Sequence, residues 1–167
     1  MSAITVYVPN DSAARSIGAD EVAAAIVKEA ATRNIDIEII RNGSRGALWL
    51  EPLVEISPDQ GRIAFGPVLV SEVVSLFDAD FLHGGSHYLA LGKSEEIPWL
   101  ARQDRVTFAR VGIIDPLSAN AYVENGGLVG LRRALSMQPP EVVAVVTEPR
   151  ERGRGGAGSP AGIHWRT

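Results

Sequence analysis

A helix-length, alanine-rich stretch lies between two runs of alternating apolar residues, and this pattern restricts the fold more than anything else in the chain. In "AITVYVP" the apolar residues Ile4, Val6 and Val8 alternate with Thr5 and Tyr7 until Pro9 ends the run, which reads as a half-buried strand. "GADEVAAAIVKEAATRN" follows and predicts a helix, with Asp20 as its cap and Glu21 in its first turn. Val22, Ala25, Ile26 and Glu29 fall at helical spacing, so the apolar face is narrow and shallow. "IDIEIIRNG" then alternates again at Ile35, Ile37 and Ile39. A parallel strand pair needs a crossover of about a dozen residues or more, which this helix supplies, so the two strands are expected side by side.

Beyond residue 50 the connections shorten. "LVEI" and "RIAFGPV" read as two strands joined by the turn "SPDQG", the antiparallel edge of the sheet. "VSEVVSLFDADFLHGG" reads as a second helix, capped by Ser71 and stopped by Gly84 and Gly85. The order β-α-β-β-β-α defines an α/β fold of thioredoxin-like arrangement, a mixed sheet covered by helices, over residues 1–90.

Residues 91–115 are expected to form a linker, with Pro98 inside it, Pro116 just after it and little periodicity, although "RVTFARVGII" could hold an extended segment. In residues 116–167, Leu128, Leu131 and Leu135 mark a short amphipathic helix opening after Gly126 and Gly127. "PPEVVAVVTE" stays open between helix and strand: Pro140 and Glu141 suit a helix start, whereas the valines favour a strand. The chain then runs into a glycine-rich loop, with too few apolar positions after about residue 105 for a second core.

Composition excludes several classes. A formal net charge of −4 lacks the basic footprint of nucleic-acid binding. No apolar run approaches the roughly 18 residues of a membrane helix, and "MSAITVYVPNDS" is not a signal peptide, so no membrane insertion and a cytoplasmic location are expected. With no cysteine among its 167 residues, the chain itself forms no disulfide and no thiolate-held zinc or iron–sulfur centre.

"RGRGGAG-P-GI-W" at residues 152–165 resembles the glycine-rich flavin loop of the NADH-oxidising subunit of NADH:quinone oxidoreductase, and "NGGLVGLRRALSMQPPEVV" resembles the helices before it. "VYVPNDSAARSIGADEVA", "RNGSRGALWLEPLVE", "GRIAFGPV" and "EEIPWLARQDRVTFARVGIIDPLS" narrow the likeness to the beta (flavin, NADH diaphorase) subunit of soluble NAD-dependent formate dehydrogenase, with NAD-reducing hydrogenase as the near alternative. The resemblance implies a thioredoxin-like domain, then a linker, then the helical start of a truncated flavin-binding domain. In the full-length family FMN, NAD and a four-iron cluster are bound, the last two by parts beyond this chain. The implied FMN-loop residues are Gly153, Arg154, Gly155, Gly156, Ala157 and Gly158, with His164 where the family has a phosphate-binding lysine. Partners would be the other subunits of a formate dehydrogenase-type complex.

The departures from the family matter. Arg150 and Glu151 replace a glycine and a leucine, and Ser159 replaces a phenylalanine that lies against the flavin and nicotinamide site. The first domain also resembles two-iron ferredoxin subunits, and the cluster-ligand positions then fall at or near Pro9, Ala14, Asn42 and Gly46, none of which offers a thiolate. This implies a cluster-less docking domain and an isolated chain with no cofactor and no activity. The competing expectation is a cofactor-free protein-interaction domain with a disordered Gly/Arg tail.

Other residues carry weaker signals. His83 and His87 have the spacing of a metal pair, but the glycines between them break the helix that spacing would require, so they read as a turn. Trp49 and Trp99 read as core or interface anchors. Arg41 and Arg45 read as surface charges or as docking points for an acidic partner.

Overall fold

A computed structural model of the protein describes residues 3–58, 61–149 and 151–166. The chain divides into two compact units, residues 1–125 and 126–167.

In the first unit, β1 (Ile4–Tyr7) leads into a short helix α1 (Ser12–Ser16) and the long helix α2 (Ala19–Thr32). The carboxylate of Asp11 caps α1 by accepting from the amides of Ala13 and Ala14, at 3.0 and 3.2 Å. Gly18, at φ +102°, takes the N-cap of α2, and Asp20 lies inside the first turn instead of capping it. From there Asp20 receives Arg15 and Arg41 at 2.9 and 2.6 Å, and both it and Glu21 favour the positive end of the helix. The buried face of α2 is Ala19, Val22, Ala23, Ile26 and Ala30, a stripe of mostly small residues that lets the helix approach the sheet closely.

β2 (Ile37–Ile40) pairs parallel with β1, with Ile4 opposite Ile37 and Tyr7 opposite Ile40. β3 (Val54–Ile56) runs antiparallel on the other side of β1, and β4 (Ile63–Phe65) is antiparallel to β3. Asp59 and Gln60, part of the "SPDQG" stretch read from sequence as a turn, lie outside the described residues. α3 (Val73–Asp78) is shorter than its sequence suggests, because Asp80 adopts a left-handed conformation, φ +54°, and the chain restarts as a single 3₁₀ turn at Phe81–His83. Ser71 lies in a 3₁₀ turn ahead of the helix.

The sheet then gains β5 (Ala90–Lys93), antiparallel to β4, from a segment whose weak periodicity suggests only a connection. Its order is β2-β1-β3-β4-β5. A parallel β1–β2 pair linked by a helix, with an antiparallel β3–β4 hairpin beside β1, is the thioredoxin-like arrangement. After β5 come α4 (Pro98–Ala101), an irregular strap over residues 102–118, and α5 (Ala119–Glu124).

Strand alternation sends two sets of residues to opposite faces of the sheet. Val6, Val54, Ile56 and Phe65 pack under α2 and α3 with Val22, Ile26, Leu76 and Phe81, forming the main core. Phe81 meets the edges of Phe65 and Phe77, with ring centroids 5.6 and 5.1 Å apart. Each fully buried large apolar side chain here contributes about 1.5–3 kcal/mol. The opposite face has a smaller apolar cluster of Leu53, Ala64, Ile97 and Leu100, and beside it lies a buried polar centre.

The second unit consists of α6 (Val129–Leu135), α7 (Pro139–Thr147) and α8 (Ala161–His164), with the glycine-rich segment between the last two. The ambiguous "PPEVVAVVTE" is helical. Pro139 and Pro140 fill first-turn positions that need no amide partner, and Gln138 and Glu141 form a reciprocal capping box. These local terms outweigh the valines' preference for a strand.

Candidate functional site

The glycine-rich segment is a small hairpin. Arg152 bridges Pro160, the amide of Gly153 donates to the carbonyl of Ser159 at 2.9 Å, and the amide of Ala161 donates to the carbonyl of Glu151 at 2.8 Å. Arg152 Nη1 also reaches the carbonyl of Gly158 at 3.1 Å. Gly156 and Gly158 have φ of +115° and +63°, values that side chains rarely tolerate. Gly153, Arg154, Gly155, Gly156 and Ala157 are exposed at the tip, and Gly158 is half-buried. The hairpin is anchored at its base, where Gly162 is buried against α7: a Cβ there would lie 2.5 Å from Thr147 Cα. His164 ends α8 and is exposed, and Ser159 is half-buried. Arg150 lies outside the described residues.

A cavity of about 270 Å³ at this hairpin is lined by Thr147, Arg152, Pro160, Gly162 and Ile163, at the base and away from the glycine tip. The tip can present backbone amides to a phosphate, but within this unit it is open to solvent. A flavin ring needs burial on both faces, and the exposed tip does not supply it.

The first unit holds a second arrangement, which sequence reasoning missed. Glu55 sits on the central strand β3, on the face away from the main core, and is 1% exposed. Arg45 Nε lies 2.9 Å from its Oε1, and Arg62 Nη1 lies 3.6 Å from its Oε2. Arg45 Nη1 also pairs with Glu95 at 2.9 Å. Burial works against the charge of Arg45, but Glu55 and then Glu95 outweigh it and hold the guanidinium above its ordinary pKa. Arg62 stacks on Tyr7, 3.5 Å from the ring centroid, and donates to the carbonyls of Gly112, at 2.9 Å, and Ile113. The Asn42 amide donates to the same Gly112 carbonyl at 2.7 Å and, more weakly, to Glu55 at 3.4 Å. Arg105 donates to the carbonyl of Arg45. Three side chains thus tie the strap to the sheet through backbone carbonyls. Gly112 makes this possible, since at φ +79° a Cβ there would stand 2.5 Å from Arg45 Cγ.

Of the positions matched to cluster ligands, Asn42 contacts this centre, Gly46 follows Arg45 in the chain, and Ala14 belongs to the main core. The amide of Asn10, next to Pro9, donates to the carbonyl of Asn42 at 2.8 Å, joining the loop after β1 to the loop after β2. Ala14 is buried in α1, Asn42 is committed as a donor, and Gly46 has a left-handed φ of +85°. The donor set does not fit an iron–sulfur cluster. Among the described residues, no three His, Cys, Asp or Glu side chains converge as a metal centre needs.

Neither arginine singled out in the sequence is a free surface charge. Arg41 is half-buried on the carbonyls of Val8 and Pro9 and on Asp20, while Arg45 is internal. Trp49 and Trp99 are not core residues: they are 59% and 52% exposed and meet edge to face, 5.5 Å between centroids.

His87 comes close to a nucleophile–base geometry, with Nε2 3.1 Å from Ser75 Oγ. Its Nδ1 accepts the amide of Leu89 at 3.2 Å, which leaves the ring proton on Nε2 in the neutral form. Nε2 therefore donates to Ser75, whose hydroxyl donates onward to the carbonyl of Glu72 at 2.9 Å. The pair fastens a turn and does not activate the serine. His83 pairs with Asp80 at 2.7 Å on the surface.

The fold thus defines a thioredoxin-like α/β domain followed by a separate helical unit with a glycine hairpin. No family model matches the chain. Over 64 residues it is 45% identical to the HndC subunit of NADP-reducing hydrogenase in Solidesulfovibrio fructosivorans, a stretch covering 38% of this chain and 13% of that protein. Over 47 residues it is 47% identical to the F subunit of NADH-quinone oxidoreductase in Streptomyces coelicolor, covering 28% of this chain and 10% of that one. The counterpart of that protein in Aquifex aeolicus is 43% identical over 49 residues, 29% of this chain and 12% of that one. The matched stretch therefore spans only 10–13% of the length of these relatives. Among solved structures, a thioredoxin-like [2Fe-2S] ferredoxin of Aquifex aeolicus aligns with a TM-score of 0.46 and 19% identity, covering 56% of this chain and all of that one. Among the described residues, no helix is long and apolar enough to cross a membrane.

Proposed function

We propose that this chain is the N-terminal part of an NADH/FMN diaphorase subunit, in the cytoplasm, and that its thioredoxin-like domain serves as a docking module without a redox centre of its own. The observation that carries this reading is the 43–47% identity to subunits whose names place them in NADP-reducing hydrogenase and NADH-quinone oxidoreductase. The assignment to a formate dehydrogenase-type complex rests on the co-linear blocks "RNGSRGALWLEPLVE" and "EEIPWLARQDRVTFARVGIIDPLS". Domain boundaries at residues 90 and 115 belong to the same reading.

The docking role is supported by the exposed Trp49–Trp99 pair, since large aromatic side chains in edge contact on a surface are common anchors of protein interfaces. In a complete flavin domain, the amides around Gly153, Gly155, Gly156 and Gly158 would meet the FMN phosphate, with Arg154 and Ala157 in the same turn and His164 nearby. FMN supplies the passage of electrons between NADH and one-electron carriers when bound. The residues here would contribute only phosphate contacts.

Cross-linking the chain in its native cells, followed by mass spectrometry of the captured proteins, tests the proposal. Recovery of formate dehydrogenase-type subunits supports it. Recovery of hydrogenase or quinone-oxidoreductase subunits would move the assignment to those complexes, and recovery of none of the three would overturn it.

A further inference from the structure

A cleft of about 620 Å³ opens between residues 44–46 and 103–111 of the first unit, within the size range of small-ligand pockets. A smaller recess of about 170 Å³ shares Arg45, Gln103, Arg105 and Val111 with it. The cleft walls are largely apolar, and Val106 and Phe108 stand 82% and 66% exposed within them.

The polar part of the lining holds two guanidinium groups whose donors its acceptors do not fully meet. Arg45 is 4% exposed, and while its Nε and Nη1 face Glu55 and Glu95, its Nη2 has no hydrogen-bond partner among the described residues. Arg105 has no carboxylate partner among them either: Nε donates to Gln103, Nη2 to the carbonyl of Arg45, and Nη1 makes only a 3.5 Å contact with the carbonyl of Val111. A buried guanidinium donor without an acceptor is costly, and a bound carboxylate would satisfy it with a charge-assisted bond. Water could supply an acceptor but would leave Val106 and Phe108 uncovered. Asp104 and Glu95 also belong to the two linings, so a doubly charged group meets repulsion there.

We infer that this cleft binds a small monocarboxylate, with its carboxylate on Arg45 and Arg105 and a compact apolar body against Val106, Phe108 and Val111.

Benzoate titrated into the full chain, followed by amide NMR, tests this, with benzamide and inorganic phosphate as comparisons. Saturable shifts confined to residues 44–46 and 103–111 are expected, with benzoate bound at least roughly tenfold tighter than benzamide or phosphate. Phe108→Ala should weaken benzoate roughly three- to tenfold while leaving thermal unfolding unchanged, because the side chain is exposed. Arg105→Gln should remove the benzoate shifts, and if that variant does not fold, Phe108→Ala decides. The inference is overturned if benzoate gives no saturable shift, if benzamide or phosphate binds equally well, or if Phe108→Ala binds benzoate like the parent.

Discussion

Arg45 and Glu55 stand 2.9 Å apart with side chains only 4% and 1% exposed, on the sheet face away from the main core. The contact is set by charge more than by hydrogen-bond alignment, since neither Arg45 Nε nor Glu55 Oε1 meets the angular requirement of a hydrogen bond. Two charges taken out of water in this way stabilise a fold only while both are present.

Glu55→Ala should therefore destabilise the first unit by about 3–5 kcal/mol, because it leaves Arg45 and Arg62 without their shared buried carboxylate. Urea unfolding measures this. The double change Arg45→Met, Glu55→Leu should cost less than Glu55→Ala alone; a double variant at least as unstable as the single one would show that the pair itself stabilises.

Gly112→Ala combines a left-handed φ of +79° with a Cβ 2.5 Å from Arg45 Cγ, so a loss on the order of 1–3 kcal/mol is expected. Gly130→Ala is the contrasting change, since Gly130 sits inside α6 with nothing within 4 Å of an added Cβ. It should be neutral or stabilising by up to about 1 kcal/mol. Equal losses at the two positions would contradict the close approach at Gly112.

Burial pushes the Glu51 carboxyl above its ordinary pKa, although Ser44 Oγ at 2.7 Å and the amide of Leu53 at 2.9 Å both favour its ionised form. A raised acid pKa means that the folded state holds the proton more tightly than the unfolded state. The contribution of Glu51 is thus most favourable at low pH and declines as pH rises from about 4.5 through the folded value. Asp20 acts in the opposite sense: hydrogen bonds from Arg41 and Arg15 lower its pKa, so its contribution is lost on acidification below about 3.8. Melting temperature against pH for the parent and Glu51→Gln should show a difference that shifts in the parent's favour as pH falls. A difference that stays constant as pH rises from about 4.5 to neutrality would refute it.

The isolated chain should be colourless and should not quench FMN fluorescence saturably in the micromolar range, because the hairpin tip from Gly153 to Ala157 is exposed. Restoring an aromatic and a fixed charge with Ser159→Phe and His164→Lys should not create binding, since neither supplies an opposing wall for the flavin ring. Micromolar or tighter binding by the parent would mean that the hairpin is a working site by itself.

Trp49→Ala and Trp99→Ala should each change stability by less than about 1 kcal/mol, because both rings are more than half exposed. Each should reduce cross-linked partner recovery several-fold if the pair anchors docking. Unchanged recovery would place the interface elsewhere.

Local pattern is enough for the elements that bury one face. Ile4, Val6, Val8, Ile35, Ile37 and Ile39 alternate, and the helix between them has the length of a parallel crossover, so β1, α2, β2 and the β3–β4 hairpin can be placed from sequence. The lack of cysteine likewise rules out a thiolate-held cluster on composition alone. β5 is not legible, because "ALGK" has no apolar alternation and becomes a strand only by pairing with the edge of β4. Nor is the length of α3, which ends where Asp80 turns left-handed.

The buried polar centre is decided by tertiary structure alone. Arg45, Glu55, Arg62 and Gly112 are scattered along the sequence, each unremarkable in its own window. Glu55 occupies an alternating position that in sequence points to solvent, and it is buried because the strap from residue 102 onward folds over that face. Sequence periodicity determines which face of a strand a residue occupies; which face is covered, and by what, depends on contacts between distant segments that no local pattern encodes.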